Sequence, residues 1–221
     1  MPESQSQLRR VLAAAAPLVA ALFGAQLGFA QQQALRPQLD GPQLVDALRA
    51  GGLVILMRHA STESFVPQPG VTAANACPSQ RNLSEHGRRE ARDIGAAFDD
   101  LGIPVGRVLT SPYCRCVDTG ELAFGGGEVS QELGAIDELP SSEKDERARQ
   151  IRALLNTVPP AGRNTILITH TGTLLYSFGL QSRPEGIAHV FRPAEIGNAI
   201  YLGFVTPEQW IALARSSAAG S

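Results

Sequence analysis

Apolar residues in this 221-residue chain follow two patterns, short unbroken runs and longer stretches spaced by three and four, and the two alternate. Leu53 to Met57 is an unbroken apolar run, as expected of a strand buried on both faces, and Thr165 to Thr169, with Ile166-Leu167-Ile168 at its centre, is another buried strand. Arg107 to Thr110 and Ala199 to Val205 add two more strands. The helical patterns lie between them. Pro42 to Ala50 reads as a short helix stopped by Gly51 and Gly52. Ser84 to Leu101 is the strongest, with Ala91, Ile94, Ala97, Phe98 and Leu101 on one face, Ser84 as N-cap, and Gly102 and Pro104 as its end. Pro112 opens a helix to about Phe124, broken by Gly125-Gly126-Gly127. Ser142 to Val158 has the mixed charge of an amphipathic surface helix, and Thr171 to Gly179 follows the Thr165–Thr169 strand. Strands alternating with helices predict a three-layer α/β/α fold, with a mainly parallel sheet and helices on both faces.

Composition fits one folded domain. The chain is 43% hydrophobic and 18% charged, enough to bury one substantial core, and its formal net charge of -2 gives no reason to expect a nucleic-acid partner. The first thirty residues belong to another regime. Arg9 and Arg10 precede an alanine-rich apolar run from Val11 to about Leu22, and the small residues Gly28 and Ala30 follow. That order predicts a secretory signal over residues 1–30, cleaved near Ala30. Pro17, Gly24 and Gln26 make a permanent membrane anchor the weaker reading, and with no cysteine after the apolar run a lipid anchor is not suggested. Residues 31–41 then read as a linker, and the mature chain is expected in the periplasm or outside the cell.

Histidine is scarce: His59, His86, His170 and His189 are the only four. Two of them stand where an apolar run breaks off, in Met57-Arg58-His59-Ala60 and Thr169-His170-Thr171. Loops at the ends of parallel strands converge on one sheet edge. The loops after Met57, Thr110 and Thr169 therefore bring together Arg58, His59, Thr62, Ser111, Arg115, His170 and Thr171. Such a set is rich in positive charge and hydrogen-bond donors and suits a phosphoryl group held by guanidinium forks and helix N-termini. Arg115 is telling, because the first turn of a helix disfavours a cation unless an anion is bound there.

Four ordered motifs carry a resemblance. Arg58-His59-Ala60 after an apolar strand, Asn82-Leu83-Ser84 with Gly87, Thr110-Ser111-Pro112 followed by Arg115 and Thr119, and Thr169-His170 resemble the histidine phosphatase superfamily. This is the phosphoglycerate mutase-like fold, and the nearer similarity is to its phosphatase branch. The likeness spans about residues 43–205 and marks residues 42–215 as the domain. It implies that His59 is the nucleophile of a phosphomonoester hydrolase and forms a phosphohistidine intermediate. Arg58, Arg115 and His170 would bind phosphoryl oxygens, with Thr62 and Thr171 as substrate-binding residues and neither metal nor cofactor required. The attack needs a neutral His59, and surrounding cations favour that form. Two other outcomes stay open: a phosphoglycerate mutase-type phosphotransferase, and an inactive phosphate-ligand binding module.

This chain departs from the family where Ala60 and Thr171 replace the usual glycines. The family's proton donor commonly comes from the segment that here reads Asp137-Glu138-Leu139-Pro140. Glu138 is the candidate, followed by Asp137 and Glu143. Cys114 and Cys116 flank Arg115 and point to nearly opposite sides of a helix, so they are poor partners for each other. The family prefers a small buried residue at Cys116, which leaves Cys77 and Cys114 as the expected disulfide. The segments from Phe65 to Gln80 and from Arg183 to Glu195 are expected to form the rim, and His86 and His189 are read as surface residues. A phosphorylated small molecule or phosphoprotein is the expected substrate, its identity unreadable from sequence, as is the oligomeric state.

Overall fold

The computed structural model describes residues 35–65 and 69–219; the expected signal segment, residues 1–30, lies outside the described residues. The chain runs α1 (Gly41–Ala50), β1 (Val54–Arg58), α2 (Glu85–Asp100), β2 (Val105–Thr110), α3 (Cys114–Phe124), β3 (Glu128–Val129), α4 (Ser141–Leu155), β4 (Asn164–Thr169), α5 (Thr171–Phe178), β5 (Ala188–Arg192), β6 (Ile200–Val205) and α6 (Pro207–Ala219). The strands form one six-stranded sheet in the order β3-β2-β4-β1-β5-β6. β1, β2, β3 and β4 pair in parallel, whereas β5 runs antiparallel to both β1 and β6.

Alternation along β1 shows why the sheet needs helices on both sides. Ile55 and Met57 enter one core with Leu44 and Leu48 of α1, Ile94 and Phe98 of α2, and Trp210 of α6. Val54 and Leu56 enter the other with Ile151 and Leu155 of α4 and Leu174 of α5. Successive side chains of a strand point to opposite faces, so an unbroken apolar run is stable only when both faces are covered. Each fully buried Leu or Ile contributes about 1.5–3 kcal/mol through lost water contact. The fold is therefore three-layered, α/β/α, with a mostly parallel sheet.

Beyond the two-residue β3, two elements were not anticipated. The segment from Arg183 to Glu195, read as rim, contains β5, whose residues Ala188 to Phe191 are buried between β1 and β6. His189 is therefore a core residue and not a surface one: it is 1% exposed, receives the Tyr201 hydroxyl at Nδ1 and donates from Nε2 to the Gln181 carbonyl. The second element is α6. Its start is a reciprocal cap in which Thr206 N–H donates to Gln209 Oε1 and Gln209 N–H to Thr206 Oγ1. Before the sheet, Gln38 and Leu39 donate their amides to the Leu202 carbonyl of β6, and Asp40 caps α1.

The sheet also sets the position of the polar residues. Arg58 and Thr169 end β1 and β4 in register, and Thr110 ends β2 opposite Ile168, so the three following loops leave from neighbouring strands at the same edge. One close approach tightens this edge. A Cβ on Gly87, in the first turn of α2, would lie 1.7 Å from the Ser61 carbonyl oxygen. Only glycine lets α2 press against the loop that follows His59.

Candidate active site

The sheet edge gathers Arg58, His59, Ser111, Arg115 and His170, and all except Arg115 are buried. His59 is held on every side of its backbone. Its N–H donates to the Thr169 carbonyl, and its own carbonyl accepts from Gly186. The next amide, Ala60 N–H, donates to Thr119 Oγ1. Ser61 donates through both N–H and Oγ to Glu90, a buried carboxyl whose pKa burial raises.

Hydrogen-bond logic settles the tautomers. His59 Nδ1 lies 2.9 Å from the Ala60 carbonyl oxygen. A carbonyl can only accept, so the proton is on Nδ1 and the lone pair of His59 is on Nε2. For His170 the order is reversed. Arg115 Nη2 can only donate, so His170 Nδ1 is its acceptor at 3.0 Å, and Nε2–H donates to Ser111 Oγ at 2.6 Å. The two rings meet edge to face at 5.6 Å between centroids.

Both imidazoles are held neutral. Burial lowers the pKa of His59 and of His170 well below 6.5, and the Arg115 guanidinium adds to the shift in each. Burial also pulls His189 down to about 4. In the unfolded chain these rings take up protons below about pH 6.5, so on the acid side the unfolded state binds more protons and stability falls as pH drops. For His189 alone the window runs from 6.5 to about 4 and amounts to about 3 kcal/mol at its acid end. The urea midpoint should therefore fall between pH 7 and pH 5, and should fall less in His189→Gln; an equal fall in the variant would exclude His189 as a source.

The cations are only partly satisfied. Arg58 donates from Nη1 to the Ser182 carbonyl and from Nη2 to Glu185, yet its Nε is buried without a partner. Arg115 lies over the Tyr113 ring at 4.4 Å, gives Nη2 to His170, and likewise keeps a buried, unpartnered Nε. Buried donors are nearly always hydrogen-bonded, so two orphan guanidinium N–H groups beside a neutral imidazole fit an incoming anion. Such an anion also accounts for a cation in the first turn of α3.

A cleft of about 210 Å³ lies against this edge, lined by Phe65, Val71, Gln80, Arg81, Tyr113, Arg115 and Glu138. Its wall is fastened by the Cys77–Cys114 disulfide, as expected, with Cα atoms 5.7 Å apart. Gln80 Oε1 also accepts the Cys114 N–H. Cys116 is the free thiol; it is fully buried beside His170, and burial pushes its pKa up to about 12.

The three candidate carboxylates take different places. Glu138 lines the cleft and accepts the Tyr113 hydroxyl. Asp137 sits against the first turn of α5, where a Cβ on Gly172 would come within 2.1 Å of its carboxylate. Glu143 is exposed in the first turn of α4. Thr62 turns its hydroxyl and amide to Glu185, and Thr171 is the first residue of α5 beside His170. His86 is exposed and lies 3.6 Å from Glu90.

Sequence reasoning missed three residues of the site. Arg81 stands immediately before Asn82-Leu83-Ser84 and could have been found from that motif. Tyr113, between Pro112 and Cys114, carries no signal of its role. Glu185 reaches Arg58 across 127 positions of sequence, and nothing local marks it. Among the described residues no group of histidine, cysteine or acidic side chains could hold a metal ion.

The family model described as Histidine phosphatase superfamily (branch 1) matches residues 54–140, from β1 to the end of the Glu138 segment. No curated protein matches the chain. Among solved structures, the protein histidine phosphatase SixA complexed with tungstate is 19% identical, covering 70% of this chain and 97% of its own, with a TM-score of 0.49. The alpha-ribazole phosphatase from Shigella flexneri is 16% identical over 67% of this chain and 94% of its own, with a TM-score of 0.49. A phosphoserine phosphatase mutant from Entamoeba histolytica in complex with phosphoserine is 13% identical over 71% and 98%, with a TM-score of 0.48. The matched segment holds both Arg58-His59 and Arg115, and over it the chain is similar to the histidine phosphatase superfamily.

Proposed function

We propose that the protein is a phosphomonoester hydrolase that works through a phosphohistidine on His59. The observation that carries this reading is the neutral His59 ring, with its Nε2 lone pair free and two unpartnered guanidinium N–H groups, Arg58 Nε and Arg115 Nε, buried at the same sheet edge. Nε2 attacks phosphorus while the bond from phosphorus to the ester oxygen breaks. The departing oxygen takes a proton from the Glu138 carboxyl group. A water molecule then attacks the phosphohistidine and gives its proton to the Glu138 carboxylate. The P–N bond breaks, and inorganic phosphate leaves with both groups restored.

Arginines supply the charge stabilisation in this scheme. The developing negative charge on the phosphoryl oxygens falls to Arg58 and Arg115, and His170 keeps Arg115 in place through Nδ1. A phosphoryl oxygen can also draw the His170 Nε2–H from Ser111 Oγ. Thr62 and Thr171 flank the two histidines and belong to the same substrate-binding loops. The disulfide favours an oxidising compartment, in keeping with export to the periplasm or beyond.

The test is to mix the protein with a ³²P-labelled aryl phosphate and quench within milliseconds in alkali, where phosphohistidine survives. Label on the peptide carrying His59, together with free phosphate in the steady state, is the expected result. Turnover with no label on that peptide would overturn the covalent mechanism, and phosphate binding with no turnover would leave a binding module.

A further inference from the structure

Within the cationic edge stands one carboxylate that the scheme above does not use. Glu185 Oε1 lies 2.5 Å from Arg58 Nη2 and 3.7 Å from Arg81 Nη2. The same carboxylate accepts the Thr62 amide at 2.8 Å and the Thr62 hydroxyl at 3.0 Å. Its side chain is 21% exposed, so these contacts are made mostly out of water. Neither of the other nearby carboxylates does this: Glu138 is joined to Tyr113, and Glu90 to Ser61.

Resting on the phosphatase reading, we propose that Glu185 is the resident counter-anion of the phosphoryl clamp, a positioning residue that acts through Arg58 and Arg81 to limit how tightly the site retains phosphate. The argument is electrostatic. Without Glu185, Arg58, Arg81 and Arg115 would present three guanidinium groups to one dianion in a largely buried pocket. Such a site binds product as strongly as it binds the transition state, which slows release without lowering the barrier. Glu185 takes one N–H of the Arg58 Nη2 arm and the Ser182 carbonyl one of the Nη1 arm, so Nε, which has no partner, and the remaining N–H of each arm are left to meet a phosphoryl oxygen. A fixed negative charge behind the guanidinium offsets part of its attraction for the dianion. The same bonds to Thr62 hold the loop after His59 while the clamp fills and empties.

Two variants separate charge from shape. Glu185→Gln keeps the length of the side chain and removes the charge, whereas Glu185→Asp keeps the charge and shortens the reach. Inorganic phosphate binding is measured by calorimetry for the intact protein and both variants, and phosphate product inhibition during aryl phosphate turnover is measured alongside. Glu185→Gln should bind phosphate about tenfold more tightly and be inhibited by it at correspondingly lower concentration, with Glu185→Asp close to the parent. A Glu185→Gln variant that binds phosphate no more tightly, or two variants that weaken it together, would show a purely structural role and overturn the proposal. Calorimetry keeps the two readings apart. If the parent protein binds phosphate but turns nothing over, the hydrolase reading falls while the comparison still decides the role of Glu185.

Discussion

Replacing His59 with alanine should lower the hydrolysis of a generic aryl phosphate by about 10⁴-fold or more and move the thermal midpoint by only a few degrees. The size of the loss follows from the chemistry. No other imidazole at the sheet edge presents a free lone pair: His170 gives Nδ1 to Arg115 and Nε2–H to Ser111. Residual activity would then come from the clamp alone, which binds and polarises the ester with water as the nucleophile. The small effect on stability has a different origin. The His59 side chain makes one hydrogen bond, to the adjacent Ala60 carbonyl, and the loop around it is held by backbone bonds to Thr169 and Gly186 and by Glu90 and Glu185. Stopped assays at fixed enzyme concentration and a parallel melting curve check both halves. Turnover within tenfold of the parent would remove His59 as nucleophile, whereas lost activity with a collapsed melting curve would show that the ring is structural.

Arg115→Ala makes the informative contrast. It should reduce kcat/KM by on the order of 10²–10³-fold, the amount expected when one preorganised donor to a transition-state oxyanion is lost. Because Nη2 also holds His170, some of that loss would come from a freed imidazole and not from Arg115 alone. Measuring His170→Ala in the same background would divide the two.

Much of the fold could be read from local pattern, because the physics that makes β1 and β4 is local. A five-residue apolar run between glycines and a charged residue, as in Leu53 to Met57, or a mostly β-branched run such as Thr165 to Thr169, has few stable places other than the middle of a covered sheet, and both are found there, paired in register. The long α2 helix was legible for the same reason: its apolar stripe and its Ser84 cap both lie within the sequence that forms it. β5 was not legible, since Ala188-His189-Val190-Phe191-Arg192 carries a histidine where the strand is buried on both sides. The Tyr201 hydroxyl and the Gln181 carbonyl, twelve and eight residues away and outside the strand itself, satisfy both ring nitrogens and permit that burial. α6 should have been found, as Thr206 and Gln209 form a capping box three residues apart. In the site, His59, Arg58, Arg115 and His170 follow strand ends and can be placed by counting strands. Glu185 and Arg81 enter it from the far sides of two loops, and their roles exist only once the chain has folded.

Removing the Cys77–Cys114 crosslink should lower the unfolding free energy by about 4 kcal/mol on chain entropy alone, given a sequence separation of 37 residues. Cys77→Ser tests this with little disturbance, because Cys77 is exposed whereas Cys114 is buried at the start of α3. Chemical denaturation with and without reductant gives the same comparison in the parent chain, and a thiol count under denaturing conditions should rise from one to three on reduction. Activity should suffer too. The crosslink joins the cleft wall that carries Gln80 and Arg81 to the residue immediately before Arg115, so freeing it should raise KM more than it lowers kcat. An unchanged denaturation midpoint in Cys77→Ser would mean that the folded loop is held by Gln80 and its neighbours without help from sulfur. A loss of the expected size is a large share of the roughly 5–15 kcal/mol that holds a typical domain folded. In a reducing compartment the chain would give up that share, and with it the rigid wall beside its clamp, so full stability and full activity would both depend on reaching an oxidising one.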